Sequence, residues 1–208
     1  MVRYVSVSSH SPTLLRRIPQ QMRGRRRVDG FLCAAAALIT ELGYERTTMS
    51  AIAKRARSSI GSLYQFFPDK KSVAEALRAQ YIGDIERYWM ALAKESHLLS
   101  SKELASRLVS LQLEIVGKYP ALLGLLDVPP GKTGSKRREL IRTRIAEVLT
   151  SHKPHLTRIS ALRMASTLQQ VSRAMLMLYA QAEPSERPAI VAEFECVLEG
   201  YLVPKLNC

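Results

Sequence analysis

The chain has 208 residues, enough for one sizeable core or a small head on a larger body, and its 47% hydrophobic content is ordinary for a soluble globular protein. No apolar run reaches the ~18 to 20 residues a bilayer span needs, and the first residues lack a continuous hydrophobic signal core. Neither membrane insertion nor secretion is therefore expected, and a cytoplasmic protein is the default. The formal net charge is +13, with 14 Lys/Arg against 5 Asp/Glu over residues 1–80 (+9) and 17 against 13 over residues 81–208 (+4). A basic N-terminal half of this kind gains affinity for nucleic acid by releasing counterions from phosphates.

Residues 1–27 hold seven Arg, no acid and two Pro with little periodicity, which predicts a disordered basic extension over 1–24. Met22, just before Arg23-Gly24-Arg25-Arg26-Arg27, is a second candidate start of translation. Arg26 and Arg27 are expected to act as an arm that touches phosphates or enters a minor groove. An Ala-rich apolar helix follows from Val28 to Leu42, with Cys33 expected inside it as a small core residue. The three cysteines, Cys33, Cys196 and Cys208, are too few and scattered for a disulfide framework.

Between Thr47 and Lys71 the sequence reads TTMSAIAKRARSSIGSLYQFFPDKK, two short helices joined by a tight turn. Thr47, Thr48 and Ser50 are N-capping types, and Met49, Ile52, Ala53 and Ala56 recur at helical spacing, leaving Lys54, Arg55 and Arg57 outward. Ser59 can cap a second helix in which Leu63, Phe66 and Phe67 face a core. Ile60, Gly61, Ser62, Tyr64 and Gln65 then remain available to a partner, and the small residues allow close approach. Pro68 and Asp69 stop that helix and suit the start of another, where Lys70 could hold a phosphate. This is the pattern of a DNA-reading helix-turn-helix, and Thr47, Thr48, Arg57, Ser59 and Lys70 join the outward residues as candidate DNA contacts.

Residues Arg27 to Lys71 resemble the N-terminal domain of TetR-family transcriptional regulators. The Ala-rich first helix, the Gly43-Tyr44 break, Thr47-Thr48, Ile52-Ala53 and the run Gly61-Ser62-Leu63-Tyr64-Gln65-Phe66-Phe67-Pro68-Asp69-Lys70 carry the likeness, over roughly a fifth of the chain. The resemblance implies an all-helical dimer with a DNA-reading head and a ligand-responsive body. One departure stands in the turn, where family members usually have Gly and an aliphatic residue and this chain has Arg57 and Ser58. A position often left-handed thus carries a side chain, which is read as tolerated variation with no special role, the alternatives being a weaker head or an added phosphate contact.

Beyond Pro68 the pattern is helical, with breaks at Ser100-Ser101, Tyr119-Pro120, Pro129 to Ser135, Lys153-Pro154 and Glu183-Pro184-Ser185, so five or six helices are expected. The first, from about Asp69 to His97, is long enough to link head and body. Met164, Leu168, Val171, Met175 and Leu178, and then Ile190, Phe194, Val197 and Tyr201, form stripes that suit either an intrachain core or a subunit seam. In proteins of the resembled family the last two helices usually form the dimer interface. Trp89, Leu108, Leu111, Ile115, Leu122 and Leu126, with Gln112 and Gln169 as polar anchors, could line a pocket for a small hydrophobic or amphipathic effector.

Gly131-Lys132-Thr133 lacks the Gly five residues earlier that a phosphate-binding loop requires, since Leu126 stands there, and Pro129 and Pro130 remove amides. His152 and His155 have no third ligand nearby in sequence and are read as complements to a helix C-terminus. No nucleophile arrangement, metal set or cofactor motif is recognisable. The expectation is an all-α protein with a basic extension at 1–24, a helix-turn-helix domain at 25–71 and an effector-binding and dimerisation domain at 72–208. Its function is repression from a palindromic operator as a homodimer; the rival classes are a helical small-molecule enzyme and a DNA-binding basic protein without sequence preference.

Overall fold

The computed structural model describes residues 22–129, 131 and 134–207. Among them the chain forms eight α-helices and no strand. These are α1 (Met22–Arg46), α2 (Met49–Arg55), α3 (Ile60–Phe66), α4 (Lys70–Glu95), α5 (Ser101–Lys118), α6 (Gly134–His152), α7 (Arg158–Gln181) and α8 (Arg187–Leu206). Short 3-10 segments lie at Ser96–Leu98 and Pro120–Leu125. The breaks fall where Ser, Pro and Gly foretold them. Helix α1 begins earlier than expected, so residues 22–24 are helical, and it breaks at Gly43, whose φ of 79° suits only glycine without strain. No helix among the described residues is long and apolar enough to cross a membrane.

The described residues separate into two compact units. The first holds the chain up to Gly83 together with Pro120–Gly134, and the second holds Asp84–Tyr119 and Ser135 onward. The head is thus larger than the segment 25–71, for a simple reason. The first turns of α4 place Val73, Ala74, Ala76 and Leu77 in the same core as Phe31, Leu32, Ile52, Leu63 and Phe67, and the 120–134 segment adds Ala121, Leu125 and Val128. This segment sits close to α1: a Cβ on Gly124 would come within 2.7 Å of the Ile39 Cγ2.

Cys33 is exposed rather than in the core, because the buried face of α1 runs through Phe31, Leu32, Ala34, Ala35, Leu38 and Ile39 and leaves position 33 outside it. Helix α4 also carries a buried ion pair. Glu75 is 3% exposed and accepts from Arg78 Nη1 at 2.7 Å, while Arg78 Nη2 donates to the carbonyls of Leu125 (2.6 Å) and Val128 (2.8 Å). One guanidinium thereby neutralises a buried carboxylate and satisfies the end of a 3-10 segment.

In the second unit α5 starts with a capping box, Ser100 and Glu103 bonding each other's backbone N–H, and those bonds hold the Glu103 carboxyl below its ordinary pKa. Helix α5 buries Leu104, Leu108, Leu111 and Ile115 and packs on α8, whose inner stripe is Leu198, Leu202 and Leu206. Removing one member of a buried ion pair takes away charge compensation that burial makes costly to lose, about 3–5 kcal/mol. Arg78→Ala is therefore expected to lower unfolding free energy by about 3 kcal/mol in urea titration, and Glu75→Gln in the same chain should recover part of the loss.

Candidate nucleic-acid interface

Helices α2 and α3 are each seven residues long, and side-chain caps start both. The Thr48 hydroxyl accepts from the Ala51 N–H at 3.1 Å, and the Ser59 hydroxyl accepts from the Ser62 N–H at 3.2 Å. Met49, Ile52 and Ala53 bury one face of α2, and Leu63 and Phe66 one face of α3. Phe67, just beyond α3, is fully buried, and the Phe66 ring lies 6.3 Å from that of Phe31 on α1. With the inner face so held, Ile60 (44% exposed), Gly61, Tyr64 (41%) and Gln65 form the outer face of α3.

The turn between the helices has a Schellman geometry: the Ser58 N–H bonds the Ala53 carbonyl at 3.0 Å and the Arg57 N–H bonds that of Lys54 at 3.0 Å. Its left-handed position is Arg57, at φ 51°, the one non-glycine with positive φ among the described residues. A side chain there costs roughly 1–2 kcal/mol. In exchange, the turn carries an exposed guanidinium with no side-chain partner among the described residues. Arg26 and Arg27, in the first turns of α1, are exposed as well. Lys54 and Arg55 extend this basic surface, although Arg55 grips Glu41 of α1 with both amino groups, one of them at 2.9 Å.

Three of the expected DNA contacts are placed otherwise. Thr47 is only 1% exposed and its hydroxyl donates to the Gly43 carbonyl at 2.8 Å, so its side chain closes the α1 break and cannot reach a groove. Ser62 turns its hydroxyl inward, where that oxygen is buried without a partner among the described residues. Lys70 donates to the carbonyls of Tyr44 (2.8 Å) and Glu45 (3.1 Å) and lies 4.2 Å above the Tyr44 ring. It caps the end of α1, as a cation suits a helix C-terminus. Burial, then Glu45 and Asp69, push the Tyr44 phenol above its usual pKa, so the ring beneath Lys70 stays neutral. The true N-cap of α4 is Asp69, whose carboxylate accepts from the Ser72 N–H at 2.6 Å.

The candidate effector lining divides. Trp89, Leu108, Leu111 and Ile115 are all under 6% exposed and packed into the second unit, Leu122 and Leu126 belong to the first, and Gln169 donates to the Arg138 carbonyl at 3.0 Å. Core packing accounts for Trp89, Leu108, Leu111 and Ile115, while Leu122, Leu126 and Gln169 are half-buried. A half-open groove of about 250 Å³ lies between α6 and α7, lined by Thr143, Ala146, Glu147, Thr150, Arg158, Ala161 and Leu162, none of them singled out from the sequence. Its walls are too polar and small-residued to register as an apolar stripe. The candidate seam divides too: Met164, Leu168 and Met175 are buried within the chain, Leu178 (50%) and Val197 (52%) are exposed, and Val171, Ile190, Phe194 and Tyr201 are half-buried. Among the described residues no group of three or more His, Cys, Asp or Glu could hold a metal.

A rigidly seated outer helix, preceded by a basic turn and a basic first helix, defines a helix-turn-helix DNA-binding protein. Comparison with known proteins narrows the class. Residues 31–77 match the bacterial regulatory proteins of the tetR family, and residues 103–202 match the tetracyclin repressor-like C-terminal domain. The HTH-type transcriptional repressor KstR of Rhodococcus jostii is 27% identical over 183 residues, 83% of this chain and 67% of that one. A TetR-family regulator of Pectobacterium atrosepticum shares the fold at TM-score 0.67 and 17% identity, over 88% of this chain and 96% of its own. Bacillus subtilis FadR, solved in complex with stearoyl-CoA, does so at TM-score 0.58 and 17% identity, over 84% and 97%. The chain belongs to the TetR family of transcriptional regulators.

Two substitutions separate bracing from binding. Ser62→Ala removes a stranded hydroxyl and is expected to raise stability by about 1 kcal/mol with operator preference unchanged, as read by melting and mobility shift. Arg57→Gly relieves the left-handed strain and should raise the melting midpoint. If Arg57 meets a phosphate, the salt slope of DNA binding should also fall by about 1.

Proposed function

We propose that this chain is a ligand-responsive repressor that reads a two-fold symmetric operator as a homodimer. The observation that carries the reading is the exposed face of α3, Ile60, Gly61, Tyr64 and Gln65, on a helix whose other face is locked in a core. A major groove about 12 Å wide admits such a helix. The Gln65 amide can pair bidentately with an adenine edge, and Tyr64 can pack on the backbone or a thymine methyl. Arg26, Arg27 and Arg57 supply phosphate contacts that set register without reading sequence.

Two recognition helices read a palindrome when spaced about one DNA turn, roughly 34–36 Å. Leu178 and Val197, flanked by Val171, Ile190, Phe194 and Tyr201, give α7 and α8 an outer apolar stripe that a second subunit would cover. Repression is supported by the Rhodococcus relative, itself a transcriptional repressor. The protein would act in the cytoplasm, where its DNA is.

The effector is a small amphipathic molecule. The Bacillus protein was solved in complex with stearoyl-CoA, which supports an amphipathic ligand class. Bound ligand would favour, by its differential affinity for two states, a conformation in which α4 moves the heads out of register with the groove.

Selection of genomic fragments with purified protein tests the reading. The expected product is a palindrome whose mobility shift survives excess random DNA and weakens steeply with salt. A DNA-compacting protein would lose the shift to random competitor, and an enzyme would give none. Tyr64→Ala should weaken binding to all sequences, while Gln65→Ala should relax preference at one base pair by about 1–3 kcal/mol. If both leave operator affinity intact, α3 is not the reading helix. Leu178→Asp with Val197→Asp should yield monomers in sedimentation and abolish the operator shift; a dimer that persists would place the seam elsewhere.

A further inference from the structure

We propose that the groove between α6 and α7 binds a small zwitterion, an amino acid with an apolar side chain. The inference names an effector class, and it rests on the ligand-responsive reading for its regulatory meaning but not for binding itself. Both helices belong to the second unit. Arg142 Nη1 donates to Ser166 Oγ at 3.5 Å and Gln169 donates to the Arg138 carbonyl at 3.0 Å, so the two helices run antiparallel. Continuing that register sets Glu147 opposite Ala161 and Thr150 opposite Arg158. The hollow exists because Ala146 and Ala161, 5% and 0% exposed, stand where larger side chains would close it.

The α6 side of the groove is rich in acceptors. Thr143, Glu147 and Thr150 recur along a single helix face. The Thr143 hydroxyl donates to the Glu139 carbonyl at 3.0 Å and the Thr150 hydroxyl to that of Ala146 at 3.1 Å, which leaves each oxygen its acceptor capacity. Glu147 accepts from Arg144 Nη1 at 2.9 Å, but Arg144 Nη2 also donates to Glu86 at 3.0 Å. Two carboxylates therefore share one guanidinium, and the surplus negative charge favours an N–H cation in the groove.

Arg158 supplies the opposite charge. It is exposed, has no partner among the described residues, and is the first residue of α7. A cation there meets the positive end of the helix dipole, so helix stability gives no account of it. A carboxylate seated in the groove does, through a charge-assisted pair. Glu147 and Arg158 line one hollow without pairing with each other, and a molecule bearing both an ammonium and a carboxylate answers both. Ala146, Ala161 and Leu162 provide the apolar surface for its side chain. A simple amine leaves Arg158 unanswered, and a simple acid leaves Glu147 and the two hydroxyls so.

The test is calorimetric titration of the full chain with valine, leucine, isoleucine and methionine, and with isopentylamine and isocaproate as the amine-only and acid-only counterparts of leucine. At least one amino acid should bind once per chain and shift the Ala146, Ala161 and Leu162 methyl resonances. Both counterparts should bind about tenfold more weakly, the weight of a charged hydrogen bond. Arg158→Ala should cost the amino acid about tenfold and leave the amine unaffected, while Glu147→Gln should cost it about tenfold and leave the acid unaffected. Should Glu147→Gln fail to fold, Thr150→Val serves, with a loss of about threefold. No heat from any of the four at millimolar concentration overturns the site, as does binding that ignores Arg158→Ala, equal binding of the acid, or shifts confined to the Leu104 and Leu108 core. Mobility shift separates binding from regulation. An amino acid that fills the groove without changing the operator shift keeps the site and refutes the ligand-responsive reading, whereas an operator released by another ligand with the groove empty refutes the site and keeps that reading.

Discussion

The structure of the head rests on one constraint: α2 and α3, at seven residues each, are too short to be helical alone. Only burial of Ile52, Leu63, Phe66 and Phe67 against Phe31, Leu32 and Leu77 makes them persist. The same burial determines which side of α3 faces outward. The exposed face of α3 is therefore a by-product of core packing, set by the side chains on its inner face.

Charge is organised by a second division of labour. The N-terminal half carries most of the excess positive charge, yet several of its cations are structural: Arg55 joins α2 to α1, Lys70 caps α1, and Arg78 neutralises Glu75 while capping a 3-10 segment. Arg26, Arg27 and Arg57 have no such duty and stay exposed. Arg57 occupies a turn position where glycine would be less strained. The strained residue and the unpaired cation coincide, which gives the departure from the usual turn sequence a physical meaning.

The body follows a simpler logic of inner and outer stripes. On α7, Met164, Leu168 and Met175 fill the chain's own core while Leu178 stays outside; on α8, Leu198 and Leu202 face inward and Val197 outward. Both helices thus carry apolar positions on more than one face. A polar junction at His152 closes the far end of the α5 and α8 pairing, where helix termini leave backbone groups that apolar packing cannot satisfy.

Much of this was legible in the residues themselves, because it depends on local chemistry. Helical spacing located the helices, Ser, Pro and Gly placed the breaks, Thr48 and Ser59 announced their caps, and the run around Gly61 to Asp69 announced the family. Interaction with distant parts of the chain decided the rest. Thr47 and Ser62 look like free hydroxyls until α1 and the core close around them, and Lys70 looks like a free cation until the Tyr44 and Glu45 carbonyls reach it. Cys33 looks buried until the angular position of its neighbours is known, and the α6–α7 groove has no signature because its lining residues are ordinary one at a time. Local preferences act over three or four residues and so can be read from order alone, whereas burial and partnership are properties of surfaces that meet only after folding.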